Sequence, residues 1–130
     1  MILSFNKENI EKRNFKEKIL NGTKIHTIRE DKHNRWKPGM SIQFYAMNPR
    51  NGGKKFAEGV VTKIEFVEMS TYIEVVDRFL PDNGQFIHTN ICLDFELNDF
   101  AKNDGFESWE EMKEFFPECF EGKIIYWRLK

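Results

Sequence analysis

Close to its C-terminal end the chain carries KIIYWRL, Lys123 to Leu129, a run of β-branched and aromatic residues that reads as a strand of high β-propensity and must be largely buried. The segments before it supply further strands. ILSF (Ile2 to Phe5) is short and apolar; IHTIR (Ile25 to Arg29) alternates and is β-branched; SIQFYAM (Ser41 to Met47) alternates after the Pro-Gly turn of KPGMS. FAEGVVTKIEFVEM (Phe56 to Met69) is long enough for a bent strand or a hairpin, and TYIEVV (Thr71 to Val76) predicts another strand. Between Asp82 and Asp94 the pattern allows one or two short strands around FIHT and ICLDF.

Helical signals lie nearer the two ends. Asn6 is placed to cap a helix running to about Leu20, with Ile10, Phe15, Ile19 and Leu20 as an imperfect apolar stripe, and Gly22 stops it in a left-handed turn. Late in the chain Leu97, Phe100 and Ala101 share a helical face that breaks at Asp104-Gly105. Ser108 and Glu111 then form an S-x-x-E capping box, opening a helix whose Trp109, Met112, Phe115 and Phe116 face the core before Pro117 ends it. About six strands, mostly central, with helices near both ends predict an α+β domain on a small, mostly antiparallel barrel. An open sheet covered by helices satisfies the same pattern.

A chain of 130 residues is most simply one domain, spanning 1–130, and buries roughly two thirds of its extended-chain surface. Thirteen Phe, three Trp and three Tyr furnish its core, and a charged fraction of 32% keeps its surface wet. No run approaches the ~20 apolar residues of a membrane span, and MILSFNKENI lacks the apolar block of a secretory signal, so no membrane partner and a cytoplasmic location are expected. Cys92 and Cys119 stand apart, without a C-x-x-C pair or a His at ligand spacing; buried reduced thiols are expected, with no metal and no cofactor. The net charge of −1 conceals an asymmetry: residues 1–64 hold 14 Lys/Arg and 6 Asp/Glu, a balance of +8, against 6 and 15, a balance of −9, in the remainder. The halves can attract each other within the fold, or the basic one can meet a phosphate-bearing partner.

The chemistry concentrates in GTKIHTIRE, Gly22 to Glu30. On an extended strand Ile25, Thr27 and Arg29 share one face, and His26 and Ile28 the other. Lys24 has the wrong parity for the Thr27 face, but just past the Gly22 turn its four-carbon stem can bring the amine over Thr27. A lysine beside a threonine hydroxyl either donates with it to a phosphate or carbonyl oxygen, or accepts its proton if burial or a neighbouring cation such as Arg29 has lowered the amine's pKa. A solvated strand face is the plain alternative. In the following loop Lys32, Arg35 and Lys37 surround Trp36, a mixture that suits single-stranded nucleic acid unless the Trp folds beneath its own loop. Asp104, in NDGF, is ordinarily a helix exit; a functional role requires its carboxylate to cross the fold to Lys24 and Thr27.

The string G-x-K-x-x-T-I-R at Gly22, Lys24, Thr27, Ile28 and Arg29, the turn in RWKPGMSIQFY, and FAKNDGFESWEEMKEFF before a terminal hydrophobic strand together resemble the ASCH domain of the PUA-like superfamily. The resemblance runs over nearly the whole chain in order. It implies a compact PUA-like β-barrel with flanking helices and a cleft, in a superfamily associated with RNA binding or modified-base recognition. It also implies an enzymatic precedent: small bacterial ASCH proteins that remove the acetyl group of N4-acetylcytidine use a lysine, a threonine and a glutamate. Lys24 and Thr27 match the first two, and the third falls near Asp104, where aspartate replaces glutamate. The shorter side chain matters, because a misplacement of about 1 Å can cost ~100-fold in rate.

Two functions are therefore expected in competition. One is a module binding RNA or a modified nucleoside through Lys24, Arg29, Lys32, Arg35 and Lys37, with Thr27 as a polar reader and Trp36 as a stacking surface. The other is an amidohydrolase acting on an acylated nucleoside, with Thr27 as nucleophile, Lys24 exchanging the proton and Asp104 positioning both. A structural or protein-interaction domain is the third option, and the oligomeric state is left open.

Overall fold

The computed structural model describes residues 1–69, 73–77, 88–91, 94–117 and 119–130. The elements run β1 (Ile2–Phe5), α1 (Lys7–Glu11), α2 (Phe15–Leu20), β2 (His26–Arg29), β3 (Ser41–Ala46), a 3-10 turn (Pro49–Asn51), β4 (Lys54–Met69), β5 (Ile73–Asp77), β6 (His88–Ile91), α3 (Asp94–Asn103), α4 (Trp109–Phe115) and β7 (Phe120–Leu129). This is a mixed α+β fold. Parts of three expected strands (Thr71 and Tyr72, Phe86 and Ile87, Cys92 and Leu93) lie outside the described residues.

Among the described residues the seven strands form one sheet organised by β4. Its first half pairs antiparallel with β3 (Ser41↔Val60 to Ala46↔Lys54), and its last residues pair with β5 (Phe66↔Val76 to Met69↔Ile73). The opposite edge runs along β7 from Gly59↔Leu129 to Met69↔Phe120, with a register irregularity between Val61 and Lys63. The long apolar segment is thus one irregular strand rather than a hairpin. Beyond β7 lies β2, antiparallel, and beyond β3 lies β1, parallel; β6 pairs with β5.

The closed barrel expected from the sequence is not formed: among the described residues no backbone ladder joins β1 to β2, the outer strands of the path β1-β3-β4-β7-β2. A side chain spans the seam instead, the Arg29 Nη2 donating to the Ser4 carbonyl at 2.9 Å. With a side chain and a cavity occupying this gap, the two edges cannot approach to the ~4.8 Å that a ladder requires.

Ile124 and Ile125 are both wholly buried. Successive strand residues point to opposite faces, so β7 is covered on both sides, as its composition requires. Leu3, Ile42, Phe44 and Val61 bury the neighbouring strands, and Trp109 and Met112 bring α4 onto the same core. Phe115, expected inward, is 41% exposed. Ser108 accepts from the Glu111 N–H at 3.2 Å, the predicted cap.

The single helix expected over 6–20 is two. Asn6 caps α1 as predicted, but Asn14 takes a left-handed φ of 56°, which asparagine tolerates, and restarts the chain as α2. The break lets Phe15 and Ile19, four apart, turn fully into the core, which one continuous helix with an imperfect stripe would not achieve. Gly22 follows at φ 85°, the left-handed turn expected after the helix.

Candidate functional site

After Gly22 the chain is stitched to two helices before it becomes β2. The Lys24 N–H donates to the Lys18 carbonyl at 2.9 Å, and the Ile25 N–H to the Asn103 carbonyl at 2.8 Å, placing Lys24 against the end of α3. That end is a Schellman closure: Phe106 N–H bonds the Ala101 carbonyl at 2.9 Å and Gly105 N–H the Lys102 carbonyl at 3.0 Å, with Gly105 at φ 100°. Asp104 is therefore the last residue before the left-handed turn, and both its carbonyl and its carboxylate face inward.

Lys24 is 1% exposed. Its Nζ donates to the His26 carbonyl at 2.7 Å and to the Asp104 carbonyl, and stands 3.7 Å from Asp104 Oδ1. The rings of Phe15, Phe5 and Trp127 surround the amine at 4.5, 5.7 and 5.9 Å. Burial pushes its pKa down from 10.5 to about 8; the Asp104 charge opposes that shift, and Arg29 adds to it. Asp104 Oδ1 also accepts from the His26 Nδ1–H at 2.8 Å, and the imidazole packs against Phe100 and Tyr126, each at 5.0 Å. An ionised carboxylate is acceptor-only, which sets the His26 tautomer as the Nδ1–H form. His26 was absent from the residues expected to act here. Its parity on the strand set it opposite Thr27, and no sequence signal pairs it with a residue 78 positions away.

In front of this buried cluster opens a cavity of about 520 Å³. It occupies the unclosed seam of the sheet: Ser4 and Phe5 of β1 line one side, and Thr27 to Arg29 of β2 the other. Asp104 reaches its wall, together with Phe15 and Phe106. Thr27 and Arg29 both line the cavity, as does Ile28 between them. The Thr27 hydroxyl has no hydrogen-bond partner among the described residues. Arg29 stacks over Phe5 at 5.0 Å, and burial lowers its pKa to about 10 against the opposing charge of Asp104, leaving it cationic at neutral pH.

The structure thus gathers Lys24, Thr27, Arg29 and Asp104 in one neighbourhood but distributes them in depth. Thr27, Arg29 and Asp104 form cavity wall; Lys24 lies behind Asp104 and makes no hydrogen bond to Thr27. In this arrangement its ammonium caps α3, satisfying a helix carbonyl that has no partner within the helix.

The basic loop is elsewhere. Lys32, Arg35 and Lys37 are exposed, Lys32 beside Glu30 at 3.4 Å, and none of them lines the cavity. Trp36 is 7% exposed and belongs to the core, so it offers no stacking face; of the two alternatives the sequence left open, the ring beneath its own loop is the one found. The loop is pinned by a second buried cluster, in which Lys123 Nζ donates to Asp31 Oδ2 at 2.8 Å and to Asn34 Oδ1, while Asp31 accepts from the N–H groups of Arg35 and Trp36. Holding those two N–H groups inward turns the Trp36 ring under its own loop. Burial raises the Asp31 pKa, yet these donors together carry it below the usual 3.8. Cys119 is exposed rather than buried, and Cys92 lies outside the described residues.

Comparison with protein-family models, with curated proteins and with solved structures finds no match for this chain.

Proposed function

We propose that the seam cavity binds a modified nucleoside, with RNA as the polymer in which such a nucleoside occurs. The observation that carries this reading is the pairing, on the lining of one cavity of about 520 Å³, of the aromatic side chains Phe5, Phe15 and Phe106 with a few polar groups, Thr27, Arg29 and Asp104. Such a mixture suits a small heterocyclic ligand: the aromatic side chains supply apolar contact, while a carboxylate and a hydroxyl read the hydrogen-bonding edge. The resemblance of Gly22 to Arg29 to the ASCH motif, and of the whole chain to the PUA-like pattern, supports the same ligand class. Calorimetric titration with cytidine and N4-acetylcytidine tests it. Binding weakened at least about tenfold by Thr27→Val and by Asp104→Asn is expected; affinity untouched by both would overturn the proposal.

One observation favours an amidohydrolase as the second reading: an unpartnered Thr27 hydroxyl on the cavity wall stands near a lysine whose pKa is lowered to about 8. In that reaction Thr27 Oγ attacks the acetyl carbon, the amine takes the hydroxyl proton, and that proton passes to the departing exocyclic nitrogen; water then releases acetate from the threonine ester. The amine must first leave the Asp104 carbonyl. Chromatographic detection of cytidine from N4-acetylcytidine, abolished in Thr27→Ala, is the expected result; no cytidine from the wild type removes the reading.

A further inference from the structure

The cavity has a second polar wall, made where the parallel strands β1 and β3 end side by side. Phe5 pairs with Ala46, and the Met47 N–H donates to the Phe5 carbonyl at 2.8 Å, so Asn6, the first residue beyond β1, and Asn48, the second beyond β3, both reach the cavity lining. Asn9, on the first turn of α1, joins them on the cavity lining although it is only 6% exposed.

All three amides are oriented by N–H donors, which leaves no ambiguity about which end is oxygen. Asn6 Oδ1 accepts from the Asn9 N–H, Asn9 Oδ1 from Arg13 Nη1, and Asn48 Oδ1 from the Arg50 N–H, each at 2.8 Å. Each oxygen thus accepts one hydrogen bond from the protein. The amide NH2 groups have no partner among the described residues, and they are not sealed off, since the one fully buried side-chain nitrogen or oxygen there without a partner is Arg13 Nε. Lys7 lines the same rim with an exposed ammonium. This wall therefore presents donors and positive charge, and Asp104 adds a carboxylate to the same cavity lining.

We propose that the Asn6, Asn9 and Asn48 wall is a subsite for an acceptor-only anionic group, with phosphate the fitting chemistry, so that the ligand is a phosphorylated nucleoside rather than a free one. The proposal rests on the nucleoside reading of the cavity. A phosphate has acceptor oxygens on every side and no obligatory donor, which matches a wall whose amide NH2 donors have no partner among the described residues.

Asparagine-to-aspartate substitutions isolate the claim. Aspartate keeps the Oδ1 acceptor at Asn6 and Asn48, and caps a helix as well as asparagine does, but it replaces the NH2 donor with a second anionic oxygen. The experiment titrates N4-acetylcytidine, its 5′-monophosphate, and a trinucleotide carrying that residue centrally into the wild type, Asn6→Asp and Asn48→Asp, with urea midpoints as a folding control. The monophosphate is expected to bind the wild type about tenfold tighter than the nucleoside, and both variants to erase that ratio while keeping the nucleoside affinity. Equal affinity of the wild type for nucleoside and monophosphate, or an advantage that survives both variants, overturns the subsite and leaves nucleoside binding standing. Failure of all three ligands overturns both. A trinucleotide tighter than the monophosphate identifies the phosphate as a polynucleotide's, and one no tighter identifies it as a free nucleotide's; either result supports the subsite provided the variants lose it.

Discussion

His26 Nδ1 lies 2.8 Å from Asp104 Oδ1, joining the second strand to the end of the third helix across 78 residues of sequence. The same carboxylate stands 3.7 Å from Lys24 Nζ, so one aspartate holds both polar neighbours of Thr27 in place. Asp104→Asn leaves the buried lysine without its countercharge. A loss of about 3 kcal/mol in urea unfolding is expected at pH 7, the range for breaking a buried ion pair from one side. The Lys24 pKa should also fall below about 8, because Asp104 is the neighbour that raises it.

Lys24 makes stability depend on pH with a definite sign. In the unfolded chain the amine keeps its proton to about 10.5, whereas in the folded protein it releases it near 8. Between those values the unfolded state binds more protons, so raising the pH through the window favours folding. Below pH 8 the cost of burying the charge is fully present. Relative to Lys24→Met, the wild type should gain on the order of 3 kcal/mol between pH 8 and 10.5. Parallel stability profiles of the two proteins across that window would contradict this.

In the hydrolase reading the same titration appears in kinetics. The amine is a base only when neutral, so kcat/KM for N4-acetylcytidine should rise with pH and level off above an apparent pKa near 8. A rate independent of pH from 6 to 9 would exclude Lys24 as the proton acceptor.

Gly105 packs against the aliphatic stem of Lys24. A Cβ there would lie 2.8 Å from Phe15 Cε1 and 2.9 Å from Lys24 Cδ, on a backbone at φ 100°. Gly105→Ala is therefore expected to cost about 2 to 4 kcal/mol, combining left-handed strain with overpacking, and to displace Lys24. Urea denaturation measures the loss, and reduced nucleoside affinity should accompany it.

Lys123→Met tests whether the basic loop and the cavity are separate. Asp31 loses its ammonium partner, and about 3 kcal/mol of stability should go with it. Nucleoside affinity should stay within about twofold of the wild type under conditions where the variant is folded, because residues 30–37 do not line the cavity. A tenfold loss of affinity would join the loop to the site.

Much of the local structure is legible in the chain. Asn6 and Ser108 announce their helix starts, Gly22 its turn, and the β-branched IHTIR its strand. These are short-range effects of side-chain oxygen, missing Cβ and strand pleat. The helix break at Asn14 escaped because the stripe through Ile10 and Phe15 is compatible with one helix until the core demands that Phe15 turn inward. The charged neighbours of Trp36 fit a surface ring and a ring beneath its own loop equally well; Asp31 and Lys123, 92 residues apart, decide for the second.

The sequence by itself determined the α+β class, the β-rich middle, the buried terminal strand and the residue types able to bind or react. Tertiary structure alone decided that the sheet stays open between β1 and β2, that the opening becomes the cavity, and that Lys24 sits behind Asp104 rather than over Thr27. The reason is range: propensity, capping and alternation act within a few residues, whereas a cavity and a buried charge cluster exist only where distant segments meet under packing, and no local pattern encodes which segments those are.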